Sequence, residues 1–123
     1  MKKNIYDKYG GSKALEAIVI VFYEKVLQSK NLIHYFENID MNKLMSHQVK
    51  FLSALLGGPI QYDNSTIKNM HRKLNISEKD FNETANLLKE TLAEKKFDWE
   101  DIDSVMKKIS SFKDDIVTKS PHA

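Results

Sequence analysis

Four polar side chains fall where the surrounding spacing is apolar, and their types limit the chemistry open to them. Around residues 42–56 the stripe Leu44, Gln48, Phe51, Leu55 runs at spacings of four, three and four, which puts Gln48 in a core-facing slot. His47 borders the same face. His71 stands four residues after Ile67, next to Met70 and three before Leu74. Tyr23 carries the one hydroxyl in the apolar run from Ala17 to Tyr23. An amide or phenol buried without a partner costs on the order of 1–3 kcal/mol, so each of these groups needs something to bond. Taken singly, a histidine on such a stripe is more often a hydrogen-bonded core residue than a ligand, and a lone Gln or Tyr is a weaker signal still.

Taken together they narrow the chemistry. A zinc site wants three or four His, Cys or carboxylate ligands, and only two imidazoles point inward here. No nucleophile is spaced with a base and an orienting group, so a hydrolytic triad is not indicated. Two imidazoles, apolar walls and neutral hydrogen-bond donors suit a large flat apolar cofactor whose metal brings four ligands of its own, which is haem. His34, ahead of Tyr35-Phe36, reads as a surface residue, and His122 lies in a Ser-Pro-His-Ala tail.

The elements that must position these groups are helical. The clearest stripe is the last, Ile102, Val105, Met106, Ile109, Phe112 and Ile116, with Asp98 as its N-cap and Asp101 three residues on as a capping-box partner. Before it, Ser77 caps a helix with Asp80 at its third position and a stripe of Phe81, Ala85, Leu88 and Leu92. Gly10-Gly11 breaks a short first turn, and Ser12 caps a helix over about 12–28. The run 17–23 is apolar almost all round, which predicts a central helix covered on several faces. Its β-branched Ile-Val-Ile-Val core would also suit a buried strand, but the helix-forming flanks favour a helix. A further helix over about 42–56 ends at Gly57-Gly58-Pro59, and residues 59–76 are irregular. The sequence thus predicts one all-α domain of about five helices over residues 1–119, with 120–123 a flexible tail.

Composition closes other classes. The chain has 123 residues and no cysteine, which removes disulfide scaffolds, iron–sulfur clusters and thiolate ligands. Its 19 basic residues nearly balance 17 acidic ones, leaving no basic stripe for nucleic acid. No apolar run approaches the roughly 20 residues a bilayer requires, and charges interrupt any signal-peptide core, so a cytoplasmic protein is expected.

An ordered set of segments resembles the truncated haemoglobins, the group I members of the two-over-two globin class, over nearly the whole chain. They are Ile5-Tyr6-Asp7-Lys8-Tyr9-Gly10-Gly11, Phe22-Tyr23-Glu24-Lys25-Val26-Leu27, Tyr35-Phe36 with Asp40-Met41, His47-Gln48-Val49-Lys50-Phe51-Leu52 with Leu55-Leu56-Gly57-Gly58-Pro59, and Met70-His71. The resemblance implies a two-over-two helical sandwich around haem b. His71 would be the proximal iron ligand, and Phe36 the aromatic residue packed on the porphyrin. Tyr23 and Gln48 would be distal donors to a diatomic ligand, with Leu44, His47, Phe51, Ile67 and Leu74 completing the pocket. Many relatives carry Gln where this chain has Leu44, so the distal network here rests on Tyr23 and Gln48. Phe112 takes the place of a histidine that some relatives bond to a haem vinyl, which implies non-covalent haem.

The resemblance implies binding of O2, NO or CO, with nitric oxide dioxygenation supported by a reductase as one reaction of such a pocket. A second version is six-coordinate, with His47 and His71 both on iron, for electron transfer or redox protection. Without haem, the chain would be a helical interaction module with a satisfied polar core. At 123 residues it is short for a globin, which ordinarily packs eight helices, and the stretch from Pro59 to Leu74 is where helical structure is expected to be missing.

Overall fold

A computed structural model of the chain describes residues 4–59 and 74–117. Helix α1 covers Ile5–Lys8, α2 Gly11–Leu27, a 3-10 helix Ile33–Phe36, α3 Met41–Leu55, α4 Glu78–Glu94, α5 Trp99–Ser111 and α6 Lys113–Ile116. Among the described residues there is no strand, only an isolated parallel bridge between Ile76 and Val117. No helix among them is long and apolar enough to cross a membrane.

Helix α2 packs against both α3 and α4, and α4 packs against α5, which gives two helix pairs joined through α2. The buried face of α2 is Leu15, Ile18, Val19, Phe22, Tyr23 and Val26, a three-and-four spacing that meets Leu52 and Leu55 of α3, Leu88 and Leu92 of α4, and Ile102 and Val105 of α5 in one core. The all-round apolar run is not covered on every side: Ile20 is 51 % exposed and Ala17 also faces outward. The β-branched content of this run therefore reflects packing on one face, with the rest left on the surface.

The helix ends explain several boundaries. Helix α2 is capped by Gly10, whose φ of 107° is open to glycine, rather than by the expected Ser12, which lies inside the helix. Asp40 caps α3 by accepting the Lys43 amide at 3.2 Å, and Gly57 ends it at φ 84°. Ser77 caps α4 as predicted, its hydroxyl accepting the Asp80 amide at 3.1 Å. Asp98 precedes α5 at the N-cap position but makes no side-chain cap. Instead its carboxylate and that of Asp101 both accept from Lys8 Nζ at 2.7 Å, so the expected capping box is replaced by a tie to α1. The last stripe is also not one helix. It breaks at Phe112, which ends α5 and opens the single turn of α6.

The termini of α1 and α3 are stitched together. The Tyr6 amide donates to the Leu56 carbonyl at 2.9 Å, and Asn4 Nδ2 donates to the Gly57 carbonyl at 2.6 Å. This seats α1 over the end of α3 and leaves the opposite end of the helix pairs to form the site.

Candidate functional site

Helices α2 to α6 and the 3-10 helix enclose a cavity of about 380 Å³, within the range of small-molecule and cofactor sites. Its walls are largely aliphatic and aromatic, because each element turns its stripe inward. Val19, Phe22 and Val26 come from α2, Leu44, Phe51 and Leu52 from α3, Phe81 and Leu88 from α4, and Ile109 and Phe112 from the end of α5. The break at Phe112 has a use here. It turns the Phe112 ring onto Phe51, edge-on with centroids 5.7 Å apart, and brings Ile116 to the same wall.

Of the residues singled out in the sequence, Tyr23, Phe36, Leu44, Gln48, Phe51 and Leu74 all line this cavity. His47 is half-buried on α3 beside Gln48 and does not line it. His34 is exposed on the 3-10 helix, as expected, with its ring against Tyr35 at 4.0 Å. His71, Met70, Ile67 and His122 lie outside the described residues.

Tyr23 is 5 % exposed, and its hydroxyl makes no hydrogen bond to any described residue. Burial pushes its pKa well up from the ordinary phenol value, so it stays a neutral donor across the physiological range. Its ring is held edge-on between Phe22, at 5.0 Å, and Phe36, at 5.9 Å. Gln48 adds an amide from α3 to the same cavity. A phenol on the wall of an apolar cavity, with no partner among the described residues, wants a ligand that accepts a hydrogen bond.

The structure adds polar groups that the sequence reading did not single out as lining a site. Tyr35, Asp80 and Thr84 also line the cavity. Tyr35 donates its hydroxyl to Asp80 Oδ2 at 2.5 Å, and Thr84 donates to the Asp80 carbonyl at 2.8 Å. Burial, and then the bond to Asp80, push Tyr35 up to about 12. The available signal was the place of Thr84 beside Ala85 on the apolar stripe of α4. Asp80, by contrast, reads as an ordinary first-turn acid.

Among the described residues no three His, Cys, Asp or Glu side chains converge as a metal site would require. The cavity walls are largely apolar, with the Tyr23 phenol and the Gln48 amide among their few polar groups.

Comparison with known proteins agrees with the helical fold. The model of the bacterial-like globin family matches residues 4–118. A group 1 truncated haemoglobin of Mycolicibacterium paratuberculosis is 33 % identical over 115 residues, spanning 94 % of this chain and 85 % of that protein. One from Tetrahymena pyriformis is 37 % identical over 92 residues, 75 % of this chain and 76 % of that one. The crystal structure of the Tetrahymena pyriformis truncated haemoglobin in its Fe(III) form superposes with a TM-score of 0.86, covering 95 % of this chain and all of that one at 33 % identity. The two-over-two haemoglobin of Synechococcus, solved with covalently attached haem, superposes at 0.83 with 26 % identity, covering 94 % of this chain and 98 % of that one.

Proposed function

This chain belongs to the bacterial-like globin family, as a group 1 truncated haemoglobin, and from that premise we propose that it holds haem b non-covalently and binds O2, NO or CO. Haem supplies an iron with an open coordination position for such diatomic gases. The observation that carries the proposal is Tyr23, a buried residue whose hydroxyl has no partner among the described residues, on the wall of an apolar cavity that Gln48 also lines.

The chain's own residues divide the work. Phe36, Leu44, Phe51 and Leu74 line the walls and exclude water from the ligand. Tyr23 and Gln48 donate to it, which slows its release. His71 would hold the haem iron through its imidazole, and Ile67 would belong to the same pocket. Phe112 supports non-covalent haem, since a phenyl ring on this wall can form no bond to a vinyl group. His47, absent from the cavity wall, supports a gas-binding site over the bis-histidyl reading. The same pocket would suit nitric oxide detoxification, with O2 and NO as substrates, nitrate as product and a reductase as the electron donor.

Hemin titration tests the proposal. The purified chain should acquire a Soret band at one equivalent, and His71→Ala should abolish or greatly weaken it. A chain that stays colourless with hemin overturns the haem reading, and full retention by His71→Ala overturns the proximal assignment.

A further inference from the structure

Helix α4 meets the end of α2 and the turn that follows it through a series of contacts in reverse order. Lys25 Nζ bonds Glu90 and Glu94 at 2.9 and 2.8 Å. Ser29 donates its hydroxyl to Glu83, and Asn31 Nδ2 donates to the same carboxylate at 2.9 Å. Tyr35 then donates to Asp80 at 2.5 Å. As one segment advances from 25 to 35, its partners descend from 94 to 80. Only the last pair of this series, Tyr35 and Asp80, lies in the cavity wall.

Asp80 is a fixed anchor. Its amide is bonded to the Ser77 cap and its carbonyl takes the Thr84 hydroxyl, so the acceptor for Tyr35 is set by the first turn of a long helix. The residue after Tyr35 is Phe36, whose ring stands at 81° to that of Tyr23. With no hydrogen bond to a described residue, the Tyr23 hydroxyl takes its direction from the packing of its ring between Phe22 and Phe36. Any slip of the 3-10 helix therefore moves one of the two rings that aim it.

We propose that Tyr35 and Asp80 are positioning residues of the ligand site, whose hydrogen bond pins the 3-10 helix so that Phe36 braces Tyr23 and keeps its hydroxyl directed into the cavity. This rests on the reading of Tyr23 as a ligand donor.

The test uses the haem-loaded ferrous chain with carbon monoxide as the probe. A donor facing the ligand lowers the C–O stretching frequency, and Tyr23→Phe sets the value without that donor. Tyr35→Phe and Asp80→Ala should each raise the frequency toward that value and weaken the proton cross-relaxation between the Phe36 and Tyr23 rings. Asp80→Asn, which keeps an acceptor oxygen, should restore the parent frequency. In a Tyr23→Phe background, Tyr35→Phe should add no further shift. Glu83→Ala, one contact further along the same series, should lower thermal stability and leave the frequency in place. The proposal is overturned if Tyr23→Phe shifts the stretch but Tyr35→Phe and Asp80→Ala do not, or if Glu83→Ala shifts it as much as they do. An unmoved stretch in Tyr23→Phe overturns the donor reading itself, and the proposal with it.

Discussion

The ring of Tyr9 lies flat on that of Phe97, with centroids 3.7 Å apart and planes 7° from parallel. From that stack its hydroxyl donates to Asp101 Oδ2 at 2.6 Å and accepts the Asp98 amide at 2.7 Å. One side chain from the end of α1 thereby closes the corner between α4 and α5. Tyr9→Phe keeps the stack and removes both bonds, so it should lower the unfolding free energy by about 1–2 kcal/mol, read as a lower urea midpoint at unchanged slope.

The same corner should weaken in acid. The Asp101 carboxyl is held below its ordinary range, first by the Lys8 hydrogen bond and then by that of Tyr9. A carboxyl depressed by folding adds stability that is present above its unfolded value and lost as pH falls through its folded one. Stability should therefore decline as pH drops below the ordinary carboxylate value of about 4. Asp101→Asn should be less stable at neutral pH and show a shallower acid limb in denaturation curves taken across pH. Because Lys8 is solvent-exposed, added salt should shrink the difference between the two proteins.

The two polar neighbours on α3 and the phenol on α2 should behave differently. Tyr23→Phe should speed O2 dissociation about tenfold, the factor for one lost hydrogen bond near 1.4 kcal/mol, measured by stopped-flow replacement with CO. His47→Ala should leave the ferric absorption spectrum unchanged, since His47 does not line the cavity. A spectrum that turns from low-spin to high-spin in His47→Ala would instead place that imidazole on the iron.

The turn after α3 tolerates no side chain at its second glycine. A Cβ on Gly58 would meet the Ser53 hydroxyl and come within 2.8 Å of the Tyr6 ring. That ring belongs to the helix whose backbone is bonded to Leu56, so it is not free to move aside. Gly58→Ala should destabilise the fold by about 1–3 kcal/mol, as overpacking does, and calorimetry should show a lowered Tm.

What periodicity carries was legible without coordinates. The stripes on α2, α3 and α4, the stops at Gly10-Gly11 and Gly57, and the Ser77 cap all follow from residues within a few positions of one another. Gln48 and Tyr23 were readable for the same reason, since each is a polar group breaking a local apolar pattern. The Asp98–Asp101 capping box was misread by that logic: the motif is local, but the group that claims both carboxylates, Lys8, lies 90 and 93 positions away.

The sequence by itself therefore determined the helical class, the main elements and the inward placement of Tyr23 and Gln48. Each of these is written in spacings of three and four that the helix converts directly into a face. Only the tertiary structure decided which polar groups share the cavity. Tyr35 and Asp80 are 45 positions apart and meet because α4 runs back along α2. Their pairing, the break that turns Phe112 onto Phe51, and the exclusion of His47 from the wall depend on how helices are placed against one another. That placement is set by summed packing over many distant residues and leaves no signature at any single spacing.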